Sequence, residues 1–290
     1  TYTVGVCQLV QHDALDAATQ GFCDALTEAL GDAVTIDVQN ASGDSVNCGT
    51  IVNGFVSKNV DLIMANATPA LTAAASATAD IPILGTSITA YGVALDIADF
   101  DGTVGGNISG TSDLADLSAQ AQMILDWFPD ATKVGLLFCS AEPNSRYQIE
   151  EVAKYLADKG VETEEFAFTD TNDVASVTQS AADYADVVYI PTDNTAAANT
   201  EAIGNILIPA GVPAVVGEEG ICRGCGVATL SISYYDLGVT TGKMAAKILT
   251  GEANISEMPI EFTEATPKYN ASICEQLGIT PLDGYEAIAQ

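Results

Sequence analysis

The 290-residue sequence predicts an α/β protein built as two doubly wound parallel-sheet lobes. Three observations carry that prediction. Short apolar runs alternate with amphipathic stretches along the whole chain, the signature of β-α units. The second half repeats the scheme of the first. The length also exceeds what a single hydrophobic core usually serves.

The first unit is TVGVCQLV, then DALDAATQGFCDALTEALG with apolar residues at helical spacing, then VTIDVQN. VNCGTIVNGFVSKN, the run VDLIMAN, a helix from TPALTAAASATA and the run IPILGTS follow. After 107–113 the scheme restarts with KVGLLFC, SRYQIEEVAKYLADKG, VETEEFAF, DVASVTQSAADYA, DVVYIPT, NTAAANTEAIGNIL and VPAVVGE. Three pairs of segments correspond in order: TVGVC with KVGLLFC, VDLIMANATPALTAAA with ADVVYIPTDNTAAANT, and IPILGTS with VPAVVGEE, each about 125 to 131 positions apart. The Gly-, Ser- and Thr-rich GTVGGNISGTSD, residues 102–113, reads as the joint between lobes. A helix over Ser233 to Thr250, stopped by Gly251, an extended PIEFTEA at 259–265 and a short helix near Ile273 to Leu277 complete the chain. These late elements would let the chain cross between lobes again, forming a multi-strand hinge. The expected division is 1–110 with about 233–262, and 111–232 with about 263–290, with the ligand cleft between.

Composition narrows the function. The chain is 48% hydrophobic and 17% charged, and no apolar run is long enough to span a membrane. It begins Thr1-Tyr2-Thr3-Val4 without a basic leader, as expected of a cytoplasmic chain or of one whose signal segment has been removed. Its 39 acidic residues against nine basic ones give a net charge of −30, which repels phosphate backbones and argues against nucleic-acid partners. One histidine, His12, leaves little for acid–base catalysis near neutral pH. No nucleophile elbow, zincin or P-loop motif occurs, so no catalytic residue, cofactor or metal is called for. Seven cysteines cannot all pair within one chain, and Cys7 and Cys139 lie in apolar runs as small buried hydrophobes. Cys222-Arg223-Gly224-Cys225 offers two ligands where zinc wants four, and precedes an apolar strand rather than a helix. It reads as a loop between two strand runs, its cysteines bracing that loop, with a disulfide available to a protein working outside the cell.

Ligands of open parallel sheets bind beyond the carboxyl ends of the strands. The residues that follow the apolar runs are therefore the candidates: Gln8, His12, Thr68, Thr86 and Ser87 in the first half, and Asn144, Ser145, Asp193, Asn194 and Glu218 in the second. Thr68 precedes Pro69 and fits a helix start, whose free amides suit an anion. Asp193 fits either a helix N-cap or a ligand contact. Glu218 follows a strand with no helix start predicted, so it is a ligand contact or a solvated loop acid. Neutral hydroxyls on one side and acids on the other complement a zwitterion. An α-amino acid would place its carboxylate toward Thr68, Thr86 or Ser87 and its ammonium toward Asp193 or Glu218. Tyr91, Tyr147, Tyr234 and Tyr235 are the aromatics available to cradle a side chain.

The run VGVCQLVQHDALDAATQGFCDAL, with VTIDVQNASGD, VDLIMANATPALTAAA, GGNISGTSDL, PTDNTAAA and SISYYDLGVTTGKMAAKILTGE, resembles the tryptophan-binding type of ABC-transporter substrate-binding protein over nearly the whole chain. The resemblance implies a type I periplasmic-binding-protein fold, an extracytoplasmic location as a periplasmic or lipid-anchored cell-surface protein, and a monomer. It also implies delivery of an aromatic amino acid to an ABC permease and its ATPase. Thr68, Ser145, Asp193 and Asn194 are the positions to which ligand contacts carry over first. The C-x-x-C departs from the family pattern. Sugar or nucleoside receptors, and the effector-binding domain of a transcriptional regulator, share the fold and stay open as alternatives.

Overall fold

A computed structural model describes residues 1–290, which fold as two compact units. The chain runs through β1 (Tyr2–Gln8), α1 (Asp13–Leu30), β2 (Val34–Asn40), α2 (Ser45–Ser57), β3 (Leu62–Asn66), α3 (Thr68–Ala77), β4 (Ile83–Ile88), α4 (Tyr91–Ala94) and β5 (Ile108–Ser112). It continues with α5 (Leu117–Trp127), β6 (Lys133–Cys139), α6 (Pro143–Asp158), β7 (Glu162–Phe168), α7 (Val174–Tyr184), β8 (Val187–Ile190), α8 (Asn194–Ala198), α9 (Thr200–Leu207), β9 (Ala214–Val216), α10 (Glu219–Cys225) and β10 (Ala228–Ser231). The last elements are α11 (Tyr234–Leu249), β11 (Glu261–Phe262), β12 (Thr266–Tyr269), α12 (Ala271–Leu277) and β13 (Glu286–Ala287).

One unit comprises Thr1–Leu114 and Ser233–Thr263. Its sheet is six-stranded and parallel throughout, in the order β11-β5-β4-β3-β1-β2. Strand periodicity sorts its side chains onto two faces. Along β3, Leu62 and Met64 join the core formed with α1 and α11, while Ile63 and Ala65 face the core under α2 and α3. The strands β3, β4 and β5 are buried end to end, as helix-covered parallel strands are.

Helices α1 and α11 approach so closely that their contact requires glycine. A Cβ at Gly238 would sit 2.0 Å from the Ala18 carbonyl oxygen, and one at Gly21 would sit 2.1 Å from that of Tyr235. A second close fit lies inside the sheet, where Gly85 and Gly110 pair across β4 and β5. The buried Tyr91 ring fills the notch they leave, its Oη donating to the Thr111 carbonyl at 2.9 Å. A Cβ at Gly110 would lie 2.4 Å from that phenol oxygen and 2.2 Å from the Gly85 carbonyl.

The other unit comprises Ala115–Ile232 and Glu264–Gln290. Its sheet runs β13-β12-β10-β9-β8-β6-β7, with β12 antiparallel to β10 and every other pair parallel. Here too the core divides by strand parity: Val187 and Tyr189 face one side, Val188 and Ile190 the other.

Two expectations require correction. Residues 102–113 are not the joint, because Ile108–Ser112 is a strand of the first sheet and the chain leaves that unit at Leu114. The glycines that read as a hinge instead turn the chain into β5, with Gly105 and Gly106 in the left-handed region at φ 81° and 58°. The C-x-x-C is likewise not a loop. It lies in α10, where Cys222 and Cys225 are buried free thiols and Asn270 Nδ2 closes the helix by donating to the Cys222 and Arg223 carbonyls. Burial pushes the Cys225 thiol up to about 12 and raises that of Cys222 as well, the opposite of what a reactive thiolate needs. No disulfide forms there.

Candidate functional site

In the first unit the polar residues gather where β1, β3, β4 and β5 end. Gln8 is consumed in holding the start of α1: its Oε1 accepts from Thr19 at 2.7 Å, and its Nε2 donates to the Val10 carbonyl and to Asp16. His12 is the N-cap of α1, its Nδ1 accepting from the Leu15 amide at 3.4 Å. Asn66 donates to the Leu15 carbonyl and to Thr19, while its buried Oδ1 has no partner. Thr86 belongs to a hydroxyl chain that passes through Thr111 and Thr241 to the Leu237 carbonyl.

Two features here are unusual. Helix α3 starts at Thr68 with Ala67 as its N-cap, held at φ 93° and unable to cap with a side chain. The amides of the first turn therefore keep their affinity for an anion. On the adjacent strand end Ser87 adopts φ 58°, is 6% exposed, and its Oγ has no partner. A buried hydroxyl with no bond and a left-handed non-glycine backbone both cost stability, and such features collect at binding sites.

In the second unit the acids are busy. Asp193 caps α8 by accepting from the Ala196 amide at 2.8 Å, and its other oxygen accepts from the Cys139 amide and the Ser145 hydroxyl, both at 2.7 Å. Glu142 accepts from the amides and side chains of both Asn194 and Thr195. Asn144 donates weakly to Glu142 at 3.4 Å, and its buried Oδ1 has no partner. Glu218 is neither a solvated acid nor in a loop. It is 2% exposed and N-caps α10, accepting from the Gly220 amide at 2.8 Å and from the Ile221 amide. Of the four tyrosines, Tyr91 is core and Tyr235 is exposed against Asp24.

Sequence reasoning missed Glu142 and Asp113. Glu142 directly precedes a Pro at a helix N1 position, a signal that marks an N-cap. Asp113 was hidden because its segment read as hinge. It is 6% exposed at the end of β5, accepting from Tyr234 at 2.6 Å and from Thr89 at 3.3 Å.

Burial raises the Asp113 carboxyl above its ordinary value, and burial together with the Glu142 charge raises Asp193 further. A carboxyl whose folded pKa is raised binds its proton more tightly folded than unfolded. Its ionisation therefore costs stability, which returns as pH falls through the raised value toward the ordinary 3.8. The exposed Asp173 and Asp186 are held low by backbone amides, have the opposite sign, and act only in more acid solution. Thermal melts should therefore move upward as pH falls from neutrality toward the ordinary 3.8 of these carboxyls. In roughly 1 M salt, where the screening length is ~3 Å, relief of the −30 net charge is suppressed and the buried acids account for what remains. A midpoint that falls across this range would contradict the assignment.

No group of three or more His, Cys, Asp or Glu side chains is placed to hold a metal. Helix starts, hydroxyls and buried carboxylates lie at the ends of parallel strands. Two such α/β units within one chain define the type I periplasmic-binding-protein fold. The chain belongs to the ABC transporter substrate-binding protein family, whose model matches residues 3–288, and proteins of that family work outside the cytoplasm as the solute-binding component. It is 32% identical over 266 residues, 91% of this chain and 76% of the relative, to a tyrosine-binding protein of Clostridioides difficile. Among solved structures it is similar to an ABC domain from Streptococcus pneumoniae in complex with L-Trp, at 31% identity and a TM-score of 0.93, covering 99% of this chain and 100% of that one. A conserved domain protein of Vibrio cholerae matches at 29% identity with a TM-score of 0.94, covering 99% of each chain.

Proposed function

We propose that this protein is an extracytoplasmic receptor that binds an aromatic amino acid and passes it unchanged to the permease of an ABC transporter. The observation that carries this reading is the whole-chain match to a domain whose structure holds L-Trp. The tyrosine-binding relative points to the same ligand class. The geometry agrees with a zwitterion. The uncapped start of α3 and the unpartnered Ser87 hydroxyl offer donors to a carboxylate. The reading includes no catalysis, since binding alone drives the closed state through its differential affinity. The protein acts as a monomer. No helix of the chain is long and apolar enough to cross a membrane, and the reading includes a lipid anchor as the means of retention at a cell surface.

A thermal-shift panel of the twenty amino acids, common sugars and nucleosides tests the ligand class. Tyrosine, tryptophan or phenylalanine should stabilise the protein by about 2.7 kcal/mol at a hundredfold excess over Kd, and be recovered chemically intact. A shift with a sugar or nucleoside and none with an amino acid would overturn the reading.

A further inference from the structure

Four carboxylates are buried: Asp113, Glu142, Asp193 and Glu218. Three of them are committed to helix starts. Glu142 holds the amides of Asn194 and Thr195, Asp193 those of Ala196 and Cys139, and Glu218 those of Gly220 and Ile221. Backbone amides cannot turn away, so these oxygens are occupied whether or not a ligand is present. Asp113 differs. The donors it receives from other residues are two hydroxyls, Tyr234 at 2.6 Å and Thr89 at 3.3 Å, and the second is long for an O–H···O bond. Hydroxyls rotate, and Oδ1 in particular is weakly engaged. No Lys or Arg forms an ion pair with this carboxylate.

Its position matters as much. The Asp113 amide donates to the Ile88 carbonyl at 3.0 Å, placing the residue beside the end of β4, where Ser87 carries its unpartnered hydroxyl. The Ala67 amide donates to the Thr86 carbonyl at 3.0 Å, which brings the start of α3 to the same strand ends. Neighbouring strands lie ~4.8 Å apart. The ammonium and carboxylate of an α-amino acid share one carbon, so with hydrogen bonds of ~2.8 Å their partners fall roughly one to two strand spacings apart.

We propose that Asp113 receives the ammonium group of the ligand, with Ser87 and the start of α3 receiving its carboxylate. This rests on the amino-acid reading above and replaces Asp193 and Glu218 in the ammonium role. Burial raises the Asp113 carboxyl although the His12 charge and its hydroxyl donors pull it down, and a bound ammonium would supply a charge in direct contact.

The test compares L-tyrosine and L-tryptophan with their α-hydroxy acid analogues, which keep the carboxylate and ring but lack the ammonium. Titration calorimetry is run on the wild-type chain and on Asp113→Asn. Asparagine is a mild replacement here because Tyr234 and Thr89 can reverse their hydroxyls to meet an amide, and Asp113→Ser provides a second neutral variant. The wild type should prefer the amino acid by about 100-fold, and both variants should bring that preference to within about fivefold by weakening the amino acid alone. An unchanged preference overturns the assignment, as does an equal loss for both ligands, which is what a merely structural carboxylate would give. A wild-type protein that binds no aromatic amino acid removes the ligand reading and the assignment with it.

Discussion

Replacing Gly238 with alanine is expected to destabilise the protein by about 3 kcal/mol, the upper end of what overpacking costs. The added methyl would meet the Ala18 carbonyl oxygen at 2.0 Å and its carbon at 2.8 Å. Those are backbone atoms of α1, held by its own helical ladder, so no side chain can swing aside. Helix α11 would have to lift from α1, losing burial of Phe22, Leu26 and Met244 in the core they share. Urea unfolding checks this as a lower midpoint at unchanged slope. Gly49, inside α2 with open space within 4 Å of where a methyl would stand, is the counterpart. Alanine there should add up to about 1 kcal/mol through helix propensity. Equal effects at the two positions would show that the α1–α11 approach is not as close as described.

The second large effect is expected at Asp193. Alanine leaves the Cys139 and Ala196 amides and the Ser145 hydroxyl without their acceptor, in a place water does not reach. Each stranded donor costs about 1–3 kcal/mol, partly offset by removing a buried charge that Glu142 repels, for a net loss of about 3 kcal/mol. Asparagine should rescue little, because its NH2 would face an amide that can only donate. That behaviour is opposite to the tolerance expected at Asp113. Chemical unfolding of the two asparagine variants side by side measures the contrast, and equal losses would refute it.

The sheets and helices were legible because parallel strands covered on both faces read as continuous apolar runs, and because VGVC and VGLLFC announce the same element twice. The helix start at Thr68 was legible from its proline. What the sequence hid was the state of each polar atom. The N-cap bond from Ala196 was readable in PTDNTAAA, but nothing there tells that the second oxygen of Asp193 is engaged as well, because its donors come from β6 and α6. Residues 102–113 misled for a local reason. Glycine and threonine mark loops by composition, yet Gly110 and Thr111 are buried strand residues, chosen for the ring and hydroxyls packed against them.

The notch that Tyr91 fills has a consequence for how such a chain can drift over generations. Gly85, Gly110 and Tyr91 form one fitted set, in which any side chain at either glycine collides with the phenol. Shrinking the tyrosine first would open a cavity and strand the Thr111 carbonyl, while enlarging a glycine first would drive atoms together. Every single step away therefore passes through a weakened ancestor. Lineages that leave this solution should have changed the three positions together, so that their alignments show them as a linked trio.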